Sequence, residues 1–135
     1  MIERFRSWSP QILSILRFLA GTMFACYGAQ KMFGVFGGLP PGVPATLIWT
    51  AGPLEFFGGI FIALGLFTRT TAFLLSGMMA IAYFTGHAPN GFWPRANGGE
   101  PAVLYCWLWL YLAAHGPGAW ALDNLFFRRR KGIGE

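Results

Sequence analysis

One long apolar run with a single carboxylate inside it constrains this chain more than any other feature. Residues 50–69 read TAGPLEFFGGIFIALGLFTR, and Glu55 is the one acid among them. About 20 apolar residues in a helix can cross the ~30 Å hydrocarbon core of a bilayer. An ionisable group inside a membrane span is costly, so it indicates a functional or structural partner. The run therefore predicts a transmembrane helix, with Glu55 as a candidate site residue.

Composition agrees with a membrane protein and argues against nucleic-acid binding. The chain of 135 residues is 55% hydrophobic and 11% charged, whereas about 25% of the residues of a soluble domain are charged. Four of the ten cations that produce the net charge of +5 form one tail, residues 128–131. A basic tail beside an apolar segment suits anionic lipid headgroups. The predicted partner is the lipid bilayer, with no nucleic acid.

The sequence carries no clear metal, redox or cleavage motif. Cys26 and Cys106 have no metal-binding or redox spacing. His87 and His115 are predicted at opposite ends of the span, which argues against a shared metal site. Arg17 interrupts the N-terminal apolar run, and no cleavage motif follows it cleanly. The first segment is therefore interpreted as a retained helix rather than a signal peptide.

Four apolar segments predict four helices, which cover approximately residues 11–33, 45–67, 71–87 and 101–115. Residues 68–70 are predicted to form a tight polar turn. Residues 119–135 are predicted to follow the membrane interface and end in the basic tail. Short connections make successive helices antiparallel neighbours. The predicted fold is an all-α, integral membrane, four-helix up-down-up-down bundle, with residues 1–135 as a single domain.

The distribution of cations predicts that both termini lie in the cytoplasm. In that orientation the cations inside are Arg4, Arg6, Arg69 and residues 128–131. The cations outside are Arg95 and, at the outer edge of the first helix, Lys31. This asymmetry follows the positive-inside rule. The predicted location is the plasma (inner) membrane, as a multi-pass protein.

Small residues and charges share one face of each of the first two helices. In the first helix, steps of four and three connect Arg17, Gly21, Phe24, Gly28 and Lys31. In the second, similar steps connect Gly52, Glu55, Gly59, Ile62 and Leu66. Such spacing defines a single helical face, and its glycines allow a neighbouring helix to approach closely. Both faces are therefore predicted to pack against protein.

Five polar residues form the candidate site in the outer half of the predicted bundle. They are Glu55, Lys31, His87, Tyr27 and Glu100. At a helical rise of about 1.5 Å per residue, Glu55 would lie roughly 12–15 Å below the outer surface. Three further charges are interpreted as structural, namely Arg17 and Arg69 on the cytoplasmic side, with Asp123 as their counter-ion.

Each charged group also has a plainer interpretation. Lys31 and the two arginines can extend to the headgroups, and His87 can act as a polar helix cap. Glu55 must be paired or protonated once it is buried. A structural bridge to Lys31 or Arg17 explains Glu55 as well as a catalytic role does, so the sequence leaves enzymatic activity open.

Four motifs in a fixed order resemble those of a known family. The first is the glycine-containing face of the first helix. The second joins Glu55 to a Gly-Gly pair and to the Gly-Leu-x-Thr-Arg sequence at residues 65–69. The third is HAPNGFWPRANGGE at residues 87–100, and the fourth is HGPGAWALDN, which contains Asp123. Nearly the whole chain thus resembles the DoxX family of small four-helix membrane proteins.

The resemblance implies a link to membrane redox chemistry, because the family is named after a membrane subunit associated with thiosulfate:quinone oxidoreduction. The first hypothesis is therefore a quinone-linked redox subunit. Glu55, Lys31 and His87 would hydrogen-bond a quinone headgroup or carry its protons. No haem motif, flavin fingerprint or cysteine cluster occurs, so no cofactor is intrinsic and the electrons would come from a partner redox protein.

The second hypothesis is a non-catalytic membrane scaffold or assembly partner, whose charged residues pair its helices. The two hypotheses differ in what Glu55 faces, which is a ligand in the first and another helix in the second. A small-solute transporter is less favoured, because four helices without a clear repeat would need a homo-oligomer to build a pathway.

Overall fold

The structure, a computed structural model, describes residues 1–131, with side chains through residue 127. Within that part the chain has seven α-helices and no β-strand, which confirms the predicted all-α class. The helices are α1 (Ile2–Ser7), α2 (Ser9–Phe33), α3 (Ala45–Leu64), α4 (Thr68–Ala82), α5 (Pro94–Asn97), α6 (Glu100–His115) and α7 (Leu122–Lys131). The side chains of the basic tail lie outside the described residues, so their contact with lipid headgroups stays a prediction.

The helix ends differ from the predicted ones where the backbone turns. The boundaries of α2 and α6 agree with the prediction to within two residues. α3 ends earlier than predicted, because Gly65 adopts a left-handed conformation with φ 69° and ψ 38°. The polar turn predicted at residues 68–70 is wrong, since these residues begin α4 and the turn lies at residues 65–67. α4 is followed by one π-helical turn, Tyr83–His87.

α2 and α3 pack so closely that glycine is required along their contact. A Cβ atom on Gly28 would lie 2.6 Å from the carbonyl oxygen of Gly52. A Cβ atom on Gly59 would lie 2.6 Å from the carbonyl oxygen of Gly21. All four glycines are buried and belong to the predicted helical faces. Because the contacts advance along α2 while they recede along α3, the two helices are antiparallel.

The large apolar side chains of α2 and α3 face away from this contact. Those exposed on α2 include Phe18, Leu19 and Met23, and those exposed on α3 include Trp49, Leu54 and Phe57. Both helices are long and apolar enough to cross a membrane. In membrane proteins, small and polar residues typically lie between the helices, and bulky apolar residues face the lipid. α2 and α3 show this arrangement.

The chain divides into two compact units. One unit consists of Met1–Thr68 with the residues from Pro117 onward, and the other is Arg69–Gly116. The first unit contains the α2–α3 contact. In the second unit, the Ser76 hydroxyl of α4 donates a hydrogen bond of 2.8 Å to the Cys106 carbonyl of α6. The four-helix bundle, its single domain and its cytoplasmic termini stay predictions.

Gly59→Ala is expected to destabilise the α2–α3 contact by about 1–3 kcal/mol, the usual cost of overpacking. The added Cβ would meet backbone atoms of α2, which cannot rotate away. The matched control is Gly77→Ala in α4, because a Cβ at Gly77 would meet no atom within 4 Å. The free energy of unfolding in detergent micelles checks both variants, and equal stability of the two would contradict the glycine contact.

Candidate functional site

Lys31 and Glu55 form an ion pair where α2 and α3 meet. The Lys31 ammonium group donates a hydrogen bond to Glu55 Oε2, and the two side chains are 17% and 6% exposed. Lys31 lies in the last turn of α2, and Glu55 lies near the middle of α3. Antiparallel packing therefore brings together two charges that are 24 residues apart in the sequence.

The sequence left two possible partners for Glu55, and the structure shows which of them it binds. The partner is Lys31 rather than Arg17, and the Lys31 ammonium group binds the carboxylate instead of extending to the headgroups. Either charge alone, buried to this extent, would destabilise the fold by several kcal/mol. Among residues 1–131, no group of three His, Cys, Asp or Glu could hold a metal ion. An ammonium group and a carboxylate in contact can neutralise each other's charge or exchange a proton.

Tyr27 lies one helical turn before Lys31 and is 43% exposed. It borders a cavity of about 230 Å³, whose lining residues are Met23, Cys26, Tyr27, Gln30 and Phe36. Neither Lys31 nor Glu55 lines this cavity. A ligand in the cavity would thus contact Tyr27 without direct access to the ion pair.

His87 and Glu100 belong to the second unit. His87 ends the π-helical turn, and its Nδ1 atom lies 3.2 Å from the carbonyl oxygen of Asn97. Glu100 begins α6 and lies 4.0 Å from Arg95, with both side chains exposed. Such an exposed pair contributes little to stability. The approach of His87 and Glu100 to Glu55 stays a prediction.

Asn97 holds together the loop that contains His87, a role that was not predicted from the sequence. Its amide nitrogen donates a hydrogen bond of 2.8 Å to the Gly91 carbonyl, and its amide oxygen accepts one of 2.8 Å from the Gly99 N–H. The amide nitrogen also lies 3.2 Å from the Tyr83 hydroxyl, which donates to the Phe92 carbonyl. The available signal was an asparagine followed by two glycines, since such loops leave backbone groups for an amide to satisfy.

Arg17 binds backbone carbonyl groups instead of a carboxylate. It donates hydrogen bonds to Pro117 and, at 2.6 Å, to Trp120. Both carbonyls lie in the return segment, which we define as residues 117–121. The Ala63 carbonyl at the end of α3 lies 3.5 Å from the same guanidinium. Arg17 is 3% exposed, so it joins three segments of the first unit and does not extend to the headgroups.

Asp123 follows the return segment in the sequence and binds backbone donors in the turn after α3. Its two carboxylate oxygens accept hydrogen bonds of 2.7 Å from the Phe67 N–H and 2.8 Å from the Thr68 N–H. Its own N–H donates to the Gly65 carbonyl at 2.9 Å. Asp123 also interacts favourably with the charge of Arg17, but at a distance and without a salt bridge. Its first task is to hold the turn after α3.

Arg69 has a comparable task within the second unit. Its guanidinium donates hydrogen bonds to the carbonyls of Ala113, Ala114 and His115, at 3.1, 2.7 and 3.2 Å. The last carbonyls of a helix have no intrahelical donor, and a cation there also interacts favourably with the helix dipole. Arg69 therefore caps the C-terminal end of α6.

Two further polar residues hold the return segment, and neither was among the residues predicted from the sequence. The Ser14 hydroxyl accepts a hydrogen bond of 3.0 Å from the Trp120 N–H. The Asn124 amide donates to the carbonyls of Gly118 and Ala119, at 2.8 and 3.0 Å. The signal for Asn124 was its place beside Asp123 in the fourth motif. Ser14 had no signal, because a serine in an apolar helix is common.

The chain is similar to proteins of one membrane family. The family model of DoxX matches residues 12–88, a range that includes both members of the ion pair. A Haemophilus influenzae protein described as uncharacterized is 44% identical over 138 residues, covering 95% of this chain and 98% of the relative. The inner membrane protein YqjF of Escherichia coli K12 is 29% identical over 119 residues, covering 85% of this chain and 92% of that protein. No solved structure matches the chain.

Asp123→Asn is expected to lower the free energy of unfolding by about 1.5–3 kcal/mol, the usual contribution of a hydrogen bond to a charged group. The substitution replaces one carboxylate oxygen with an NH2 group, which would face a backbone N–H. Glu3→Gln is the control, because Glu3 is exposed in the short helix α1. Thermal unfolding in micelles measures both variants, and an unchanged melting temperature for Asp123→Asn would argue against this anchor.

Proposed function

This chain belongs to the DoxX family of membrane proteins, and on that premise we propose that it is a non-catalytic scaffold or assembly partner in the inner membrane. Its buried charges hold its own helices together. Its apolar outer surface is then available to lipid and to a partner subunit.

The ion pair between Lys31 and Glu55 carries this proposal. Each charge neutralises the other, and the Glu55 side chain is only 6% exposed, which leaves little of it for a ligand. The terminal N–H groups of the other buried cation on α2 are also used within the protein, because Arg17 donates hydrogen bonds to backbone carbonyls of its own unit. Charged groups that already bind other groups of the same protein stabilise its fold rather than bind a substrate.

The architecture that accompanies this proposal has four spans, α2, α3, α4 and α6, in up-down-up-down order with both termini in the cytoplasm. α4 and α6 contain 15 and 16 residues, or roughly 22–24 Å at 1.5 Å per residue. Helices shorter than the hydrocarbon core are accommodated by local thinning of the bilayer or by association. Association with a partner or a second copy is therefore part of the proposal.

A double-mutant cycle on the ion pair tests the scaffold proposal. Glu55→Gln and Lys31→Met are each expected to cost about 3–5 kcal/mol of unfolding free energy, because each leaves an uncompensated buried charge. The double variant is expected to lose less than either single variant. Unfolding in micelles and the amount of protein in the membrane are the two readouts, and additive losses would count against a structural pair.

The control for this cycle is the exposed pair Arg95 and Glu100. Its side chains are 91% and 48% exposed at a separation of 4.0 Å. Arg95→Met and Glu100→Gln are each expected to change stability by less than about 1 kcal/mol. A comparable effect at both pairs would mean that the cycle reports charge removal in general and not the buried contact.

The second candidate function is a quinone-linked redox subunit that acts with a partner oxidoreductase. One observation favours it, namely that an ammonium–carboxylate pair within a membrane helix contact can exchange a proton as a quinone is reduced. Opening of the pair would release Glu55 and Lys31 to a quinone carbonyl or hydroxyl. His87, Tyr27 and Glu100 would complete the cluster.

For the quinone-linked function, mass spectrometry of protein purified from membranes is expected to find quinone in about equimolar amount. Glu55→Gln is expected to lower partner-dependent quinone reduction roughly 100-fold or more, because the reduction consumes protons and a positioned group that delivers them usually contributes that much. The Lys31→Met, Glu55→Gln double variant separates the two functions. It restores stability under the scaffold proposal, whereas quinone reduction would stay lost. Absence of quinone together with unchanged reduction by Glu55→Gln would exclude the redox role.

A further inference from the structure

An apolar groove lies in the first unit beside Arg17. It has a volume of about 870 Å³ and is bounded by α2, the end of α3, the return segment and the start of α7. Its apolar wall is formed by Ile15, Phe18, Leu64, Trp120, Leu122 and Leu125. Sites for small molecules usually have volumes of about 300–1,000 Å³, so this groove is large enough to hold part of an amphiphile.

Arg17 gives the groove a positive charge that no carboxylate pairs with. Among the described side chains, the salt bridges are Lys31–Glu55 and Arg95–Glu100. Asp123 interacts favourably with the charge of Arg17, but the two oxygens of Asp123 already bind backbone N–H groups. The Arg17 Nε–H is also buried without a hydrogen-bond acceptor. In surroundings of low dielectric constant, such a charge acts over a longer distance than it does in water.

The chain continues from this groove directly into the basic tail. α7 begins at Leu122 in the groove wall and extends to Lys131, so its last four residues are the cations of the tail. A helix of ten residues is about 15 Å long. An apolar surface and a cluster of positive charge are therefore joined by one short helix.

We propose that this groove binds an anionic diacyl phospholipid of the membrane. An acyl chain occupies the apolar wall between α2 and α7, and the phosphate lies towards the basic end of α7. Arg17 contributes positive potential at the bottom of the groove while its N–H groups remain bound to the return segment. Apolar area selects for an acyl chain, and the excess positive charge selects for an anionic headgroup over a zwitterionic one.

This proposal does not depend on whether the ion pair at Lys31 is structural or catalytic. The groove contains neither Lys31 nor Glu55. It gives the return segment a second role, because the same residues that bind Arg17 also form one wall of the lipid site. Bound lipid would then stabilise the fold of the first unit by binding the folded state alone.

Native mass spectrometry of the full chain in micelles tests the proposal, with dioleoyl phosphatidylglycerol and dioleoyl phosphatidylcholine as the two probes. The wild-type chain is expected to retain phosphatidylglycerol with about fivefold or greater preference, the effect of one basic residue near an anionic headgroup. Inorganic phosphate at the same concentration is expected neither to compete nor to raise the melting temperature. Equal retention of the two lipids would overturn the proposal.

Ala119→Phe separates the groove from general lipid binding. Ala119 is an exposed groove residue, so a phenylalanine there is expected to obstruct the site and lower phosphatidylglycerol retention at least about fivefold, to the level of phosphatidylcholine. Ala96→Phe is the matched control, because Ala96 on α5 is also exposed but lies outside the groove. Replacement of Arg128, Arg129 and Arg130 by glutamine is expected to remove the headgroup preference without removing the lipid. Undiminished retention by Ala119→Phe would also overturn the proposal.

A wild-type experiment covers the case in which Ala119→Phe fails to fold. Phosphatidylglycerol with a photoreactive group at the end of one acyl chain is expected to label residues of the groove wall, such as Phe18 or Leu125. Labelling confined to the outer faces of α3 or α6 would contradict the site. Excess unlabelled phosphatidylglycerol should suppress the groove label, whereas phosphatidylcholine should not.

Discussion

The close approach of α2 and α3 is the constraint on which the rest of the first unit depends. Gly28 and Gly59 allow backbone to touch backbone, with an added Cβ left only 2.6 Å from a carbonyl oxygen of the other helix. At this separation the Lys31 ammonium group reaches the Glu55 carboxylate. A wider spacing would leave both charges without a partner in apolar surroundings, where an isolated charge is most costly. The glycine contacts and the ion pair therefore depend on each other, and loss of either one weakens the other.

The return segment completes this unit through backbone groups rather than through opposite charges. Arg17 binds the carbonyls of Pro117 and Trp120, and Asp123 binds the N–H groups of Phe67 and Thr68. Irregular backbone in an apolar environment must have its polar groups satisfied. An arginine presents several donors and a carboxylate presents several acceptors, so each can satisfy backbone groups from more than one segment. This explains why Arg17 and Asp123 each bind backbone groups and form no salt bridge with each other.

The sequence predicts best what is local. Helical periodicity correctly assigns Gly21 and Gly28 to a buried face, because that face depends only on spacing within one helix. It also narrows the partner of Glu55 to two cations, and packing then selects Lys31. Periodicity cannot show that Arg17 binds carbonyls 100 and 103 residues away, because every residue has a carbonyl and none is marked in the sequence. The early end of α3 was not predicted for a related reason. Gly65 ends the helix through its positive φ angle, which the sequence does not specify.

Exchange of the two charges of the ion pair tests whether Lys31 and Glu55 hold α2 and α3 together. The variant Lys31→Glu, Glu55→Lys keeps one positive and one negative side chain at the same contact, whereas each single reversal places like charges together. If the pair stabilises the α2–α3 contact, the unfolding free energy of the exchanged variant in micelles will recover most of what either single reversal loses. If the exchanged variant loses as much unfolding free energy as the sum of the losses of the two single reversals, Lys31 and Glu55 do not act as a pair.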